Sequence, residues 1–227
     1  MPTSISNSSE LDTTGYGWAW DDLPPHADGP IDLRRVFFGH GDPGRPVELE
    51  VGSGKGTFLV DYAAAHPELD LLGVEYARAF YRYAADRARR HALPNGRLLY
   101  ADAASFLRLY VPSASLRQVH VYFPDPWPKK KHHKRRFVCE ANLRELHRVL
   151  RGRETDDAEA GKVRLATDHA DYFAWMEEAA AACDDAFERL AFERPGSGEA
   201  DEWVGTNFER KYRREGRPFH GMILRKR

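Results

Sequence analysis

Apolar positions along the chain fall into two alternating rhythms. Short β-rich runs lie at Val47–Val51, Asp70–Val74, Arg97–Tyr100, Gln118–Tyr122, Lys162–Ala166, Ala186–Ala191 and Phe219–Leu224, and such runs read as strands. Between the first five lie stretches with helical spacing, Thr57–Ala65, Ala77–His91, Ala103–Tyr110 and Phe137–Leu150, and Ala170–Ala182 follows the fifth. Strand and helix in alternation predict an α/β domain, a mostly parallel, doubly wound sheet with helices on both faces. No long helical pattern joins the last two strands, so an antiparallel hairpin is expected at one edge. Residues 1–30 are Ser/Thr-rich and then Asp/Pro-rich, which predicts a mostly disordered tail and leaves 31–227 as one domain. Two further segments interrupt the pattern. Residues 151–161, RGRETDDAEAG, read as a polar surface insertion, and 193–205, ERPGSGEADEWVG, as a long loop.

Composition narrows the class. A chain of 227 residues with 42% apolar and 30% charged residues is neither disordered nor collagen-like. No apolar run is long enough for a bilayer-spanning helix, and MPTSISNSSE lacks the basic and apolar regions of a secretory signal. Cys139 and Cys183 form no CxxC pair, which excludes a disulfide framework and a zinc ribbon and fits reduced thiols in the cytoplasm. The net charge of -1 conceals strong segregation. Residues 1–30 carry five acids and no Lys or Arg, 129–136 read KKKHHKRR, and 210–227 hold eight Lys or Arg against Glu215 alone. Dense basic blocks on a near-neutral chain suggest a polyanion site, with solvated surface charge as the competing explanation.

The first strand runs into ELEVGSGKGTF, with Gly52, Gly54 and Gly56 between strand and helix. Glycines there permit a tight turn and a close ligand approach. The dinucleotide fingerprint GxGxxG fails because position 57 is Thr, and the phosphate loop fails because Gly54-Lys55 is followed by Gly56. What survives, Glu50 followed by three alternating glycines, resembles the first motif of class I S-adenosylmethionine-dependent methyltransferases. Glu75 ends the second strand and Asp102 follows the third. In an open sheet ligands bind beyond the carboxyl ends of the strands. There a carboxylate can accept from ribose hydroxyls (Glu75) or an adenine amino group (Asp102). Either acid could instead be a helix cap. His132 and His133 are adjacent and share no face, and no metal-ligand spacing occurs, so no metal is expected.

The fourth strand runs into VHVYFPDPWPKKKHHKRRF. Pro124, Pro126 and Pro128 stiffen the loop around Asp125 and Trp127. An aromatic ring beside six fixed cations suits phosphate contact and base stacking, though a charged loop over a buried Trp would look the same. FPDPWPKKKHHKRR closely resembles the signature of bacterial tRNA (guanine-N7-)-methyltransferases. LEVGSGKG, LGVE, ADA, ATDH at 166–169 and TNFERK at 206–211 follow in the family's order over about 160 residues.

The resemblance implies a Rossmann-like class I methyltransferase fold, a seven-stranded mostly parallel sheet with an antiparallel edge strand. It also implies methyl transfer from S-adenosylmethionine to N7 of a guanine in the tRNA variable loop, with tRNA as partner. By position, it implies cofactor contacts from Glu50, Gly52, Gly54, Gly56, Glu75, Asp102 and Asp125, with Asp125 also the candidate catalytic residue. Lys129, Asp168, Thr206, Asn207, Phe208 and Glu209 are implied as substrate contacts. Lys131, His132, His133, Lys134, Arg135 and Arg136 are implied as the RNA-contacting stretch. The chain departs from the family at Asn207, where a Lys or Arg is usual, at the 151–161 insertion and in the acidic N-terminal segment. Two other activities fit the same residues less well. Methylation of an exocyclic amine usually goes with an acid-Pro-Pro-aromatic loop, whereas here one proline follows Asp125. A non-catalytic RNA-binding subunit would have no need of all four carboxylates.

Overall fold

A computed structural model describes residues 11–152, 160–196 and 202–227. Among these residues there are eight strands, in chain order β1 (Gly17–Ala19), β2 (Val47–Val51), β3 (Asp70–Glu75), β4 (Gly96–Tyr100), β5 (Leu116–Tyr122), β6 (Lys162–Thr167), β7 (Phe187–Ala191) and β8 (His220–Lys226). They form one sheet in the order β1-β4-β3-β2-β5-β6-β8-β7. Among the described residues six α-helices connect them: α1 (Thr57–Ala65), α2 (Arg78–Arg90), α3 (Ala103–Tyr110), α4 (Glu140–Val149), α5 (Ala170–Ala181) and α6 (Asn207–Arg214). Strands β1 to β6 pair in parallel, and β8 runs antiparallel to both β6 and β7. The antiparallel pairing thus lies at the expected edge, but the reversed strand sits one place in, between β6 and β7.

Both faces of the sheet are covered, as is usual for parallel strands. On one face Phe106, Leu107, Leu143, Leu146, Tyr172 and Met176 of α3, α4 and α5 pack on Leu49, Val74, Val119 and Leu165. On the other, Phe58, Leu59, Tyr81 and Ala84 of α1 and α2 pack on Leu71 and Leu98. Among the described residues no helix is long and apolar enough to cross a membrane.

Two expectations change. The N-terminal tail lies outside the described residues over 1–10, but Tyr16–Trp20 and Leu23 pack against the domain. β1 adds an eighth strand beside β4, Trp18 meets Phe37 edge-on at 5.5 Å, and Trp20 meets Tyr110 at 5.0 Å. The few large apolar groups of a mostly polar segment suffice, because β4 offers a free edge and Phe37 and Tyr110 offer rings. The second change is α6, a short helix that lies between the expected long loop and β8 in the connection from β7. Its only buried residue is Glu209, so no apolar period marks it in the sequence. Most of the 151–161 insertion (153–159) and part of the 193–205 loop (197–201) lie outside the described residues.

Candidate cofactor and nucleic-acid site

Parallel strands β2, β3 and β5 end side by side, and the loops after them build the site. Between β2 and α1 the backbone turns through Gly52, Gly54 and Gly56 with φ of 77°, 53° and 68°, the left-handed region that glycine enters without steric cost. A Cβ on Gly56 would also come within 2.8 Å of the Ala84 Cβ, so this glycine lets α1 and α2 approach. Glu75 pins the turn. One of its carboxylate oxygens accepts from the Gly54 N–H at 2.7 Å and the other from the Ala77 N–H at 2.7 Å.

Glu48 and Glu50 lie two apart on β2 and so share a face, yet their environments are opposite. Glu48 is fully buried and fully partnered, with His120 at 2.7 Å and Arg117 at 2.6 Å. Burial opposes its ionisation, but these bonds and charges win and hold its carboxyl down at about 2. Glu50 is 3% exposed, and its Oε2 has no hydrogen-bond partner among the described residues. Burial pushes its carboxyl up to about 8. The Ser53 hydroxyl pulls the other way, and the charge of Glu75 adds to the rise. A buried unpaired acceptor is costly unless something arrives to use it.

What it faces is a cavity of about 330 Å³, within the range of small-molecule sites. Glu50, Gly52, Ser53, Gly54 and Lys55 form its floor. Tyr122 forms part of the wall, its hydroxyl bonded to His120 at 2.9 Å. Thr57 and Phe58 of α1, Phe80 of α2, Thr206 at the start of α6, and Asn207, Phe208 and Lys211 of α6 complete it. The TNFERK motif is therefore brought to the glycine turn, with the Phe208 ring 3.6 Å from where a Gly54 Cβ would stand. Lys211, one turn beyond Asn207 on the same face, puts a cation where the Asn207 departure removes one.

Within that motif the residues divide. Thr206 caps α6 by accepting from the Glu209 N–H at 3.0 Å. Glu209 is not available to a substrate: it is 0% exposed, and its carboxylate accepts from the N–H groups of Trp203, Val204 and Gly205 and from Arg213. Its work is to fold the loop entering α6. Asp168, implied as a substrate contact, is paired with Arg217 at 2.7 Å. Asp102 caps α3, its Oδ1 accepting from the Ser105 N–H and hydroxyl at 2.9 and 2.7 Å.

After β5 the chain enters the proline loop, with Phe123 and Trp127 at φ of 50° and 42°. Asp125 is exposed and lies near enough to α6 for its charge to help raise the Tyr212 hydroxyl, an effect led by burial. Lys129, Lys130, Lys131, Lys134 and Arg135 are exposed, over a short 3-10 helix at Lys130–Arg135. Arg135 covers the Trp127 ring at 4.9 Å, and His132 approaches the same ring at 5.9 Å. His133 turns inward against Trp175.

Arg136 corrects the sequence expectation. It is 3% exposed, donates to the Pro126 carbonyl at 2.8 Å and to Asp171, and lies over the rings of Tyr172 and Trp175 at 4.8 and 5.3 Å. It anchors the proline loop to α5 rather than meeting RNA. No pattern in the basic run distinguishes it; only the two rings of α5, far away in sequence, do so. Nothing in the sequence marks Phe80 as a cavity residue either, since α2 reaches the site through tertiary packing; Lys211 ends the TNFERK motif but was not among its implied contacts. Among the described residues no group of three or more His, Cys, Asp or Glu is arranged to hold a metal ion.

Known proteins resemble this chain in sequence and in fold. Residues 44–222 match the family model described as "Putative methyltransferase". Among solved structures, the 16S rRNA methyltransferase KamB superposes with a TM-score of 0.57 at 15% identity, covering 86% of this chain and 94% of that one. The aminoglycoside resistance methyltransferase NpmB1 gives 0.51 at 15% identity, covering 82% and 89%. At such identity the likeness concerns the fold alone. Sequence relatives are much nearer. The tRNA (guanine-N(7)-)-methyltransferase of Alkalilimnicola ehrlichii is 39% identical over 207 residues, 89% of this chain and 80% of the relative. That of Halorhodospira halophila is 39% identical over 200 residues, 87% and 80%. With the acid–glycine turn, the proline loop and the TNFERK helix gathered at one end of the sheet, the chain belongs to the tRNA (guanine-N(7)-)-methyltransferase family.

Proposed function

We propose that this chain transfers the methyl group of S-adenosylmethionine to N7 of a guanine in the variable loop of tRNA. Beyond family membership, one observation carries the reading. A buried carboxyl with an orphaned oxygen, Glu50, opens onto a glycine-floored cavity beside the proline loop. The cofactor carries cationic groups and a ribose, and the residues present fit it. Glu50 has an oxygen free for a cation, Glu75 keeps further lone pairs for ribose hydroxyls, and Asp102 uses only Oδ1 in its cap.

When bound, the cofactor supplies an electrophilic methyl group on a positively charged sulfur. Guanine N7 has an in-plane lone pair exposed on the edge of the base, so it needs no proton removed before it attacks. The protein's task is to position the groups and to stabilise moving charge. Asp125 is an exposed carboxylate on a stiffened loop. It accepts hydrogen bonds from the base and offsets the positive charge that develops on the purine. Arg136 holds that loop through the Pro126 carbonyl, so Asp125 is ordered at little cost. Lys129, Lys131, Lys134 and Arg135 take backbone phosphates, a contribution that weakens with salt. Thr206 and Glu209 act indirectly, by shaping the helix that carries Asn207, Phe208 and Lys211 to the cavity.

The test is chemical. Unmodified tRNA is incubated with protein and cofactor, reduced, and treated with aniline, which breaks the chain at N7-methylated guanosine. Cleavage at one guanosine of the variable loop is expected. Methylated tRNA that resists cleavage would place the methyl on an exocyclic nitrogen or a ribose and overturn the reading.

A further inference from the structure

Among the described residues five large apolar side chains are exposed, namely Tyr76, Phe80, Tyr83, Leu109 and Phe208. Four of the five are aromatic; Phe80 and Phe208 line one cavity, and Tyr76 and Tyr83 neighbour residues that form it. Tyr76 is 73% exposed and directly follows Glu75, whose carboxylate holds Gly54 of the cavity floor. Tyr83 lies one turn beyond Phe80 on the same face of α2, under the ammonium of Lys55 at 5.8 Å. Lys55 and Lys211 are exposed and also line the cavity. Solvent-facing rings usually scatter singly; a cluster rimmed by cations marks a binding surface.

We infer that this aromatic and basic rim is a second tRNA-contact surface, on which unpaired bases flanking the target guanine stack. The inference rests on the functional reading given above. Its position supports it, because the mouth lies at the ends of β2 and β3 and the basic loop follows β5, the other neighbour of β2. A strand lying across the mouth would touch the basic loop on one side and these rings on the other. The chemistry supports it too. Rings accept any base face, and interspersed cations take the phosphates, which is how single strands are held without sequence readout. A paired stem offers no open base face to stack on, so the occupant is an unpaired segment.

Tyr76 and Tyr83 lie outside the cavity lining, so they separate RNA from cofactor effects. The double variant Tyr76→Ala/Tyr83→Ala is compared with wild type and with Tyr76→Phe/Tyr83→Phe. tRNA affinity is read by fluorescence anisotropy and S-adenosylmethionine affinity by calorimetry, with circular dichroism confirming the fold. The alanine pair should weaken tRNA binding by roughly ten- to hundredfold, as expected when one or two bases no longer stack. The phenylalanine pair should keep near wild-type affinity, and cofactor binding should be unchanged in both. Unchanged tRNA affinity in the alanine pair overturns the inference. So does an equal loss of cofactor affinity, which would assign the rings to the adenosine moiety. Failure of the functional reading shows separately, as wild-type protein that binds tRNA but forms no 7-methylguanosine, and the stacking comparison still decides in that case.

Discussion

The orphaned carboxyl of Glu50 makes cofactor binding a proton-releasing event. With its carboxyl raised to about 8, the free protein holds this proton in about 0.9 of molecules at pH 7. A cation docked against Oε2 favours the ionised form and expels it. Binding should therefore tighten about tenfold per pH unit between pH 6 and 7 and level off above 8. Calorimetry in phosphate and Tris, whose ionisation enthalpies differ, counts the released protons. Wild type should release about one more proton at pH 7 than Glu50→Gln, which should also bind about 1.5–3 kcal/mol more weakly above pH 8. Stability follows with a definite sign. The folded value lies above the unfolded 4.5, so the group's contribution is fully present below pH 4.5 and is lost as pH rises to about 8. That loss amounts to at most about 5 kcal/mol. Glu50→Gln should thus raise the melting temperature of the free protein at pH 8 while weakening the cofactor. Equal proton counts in wild type and variant, with a pH-independent affinity, would show that Glu50 faces no cation and that the cavity has another occupant.

Arg136→Met should cost about 2–3 kcal/mol in denaturant unfolding, because the rings of Tyr172 and Trp175 and the Pro126 carbonyl lose their cation. It should leave the salt slope of tRNA binding unchanged; a flatter slope would return Arg136 to the RNA-contacting set. Neutralising Lys130, Lys131, Lys134 and Arg135 together should do the reverse, flattening the slope by about 0.7–0.9 for each phosphate that is no longer neutralised, with stability and cofactor affinity intact. Asp125→Asn should lower kcat at least tenfold with little change in tRNA affinity if the carboxylate acts on the developing charge. A KM for cofactor that rises while kcat at saturation is kept would make it an anchor instead.

The sheet was legible because short β-branched and apolar runs alternate with stretches of helical spacing, and Val47–Val51, whose apolar residues alternate with Glu48 and Glu50, lies where its pattern puts it. The site was legible where a loop carries its own signal: alternating glycines forced to positive φ, prolines around Asp125. It was not legible where the meaning of a side chain is set by distant partners. Arg136 is indistinguishable from Arg135 until Tyr172 and Trp175 fold beneath it. Glu209 is implied by its motif as a substrate contact, yet three backbone N–H groups of the preceding loop close around it. Asp102 serves as the helix cap that was the alternative for any isolated acid, and only one of its oxygens is engaged in doing so.

The eighth strand has a bearing on how the molecule must be handled. β1 pairs residue by residue with Leu98, Leu99 and Tyr100, and its Gly17 lies so close to Tyr81 that a Cβ there would stand 2.5 Å from the hydroxyl. Trimming the polar N-terminus back to the first family motif, a natural choice from the sequence, would strip this cover. The central rows of β4, Leu98 and Leu99, would then sit at an open border with their N–H and C=O groups unmet, a template for another chain to add to. Such a shortened protein would keep every residue of the cavity and still be prone to self-association, so its loss of activity would report on solubility and not on methyl transfer.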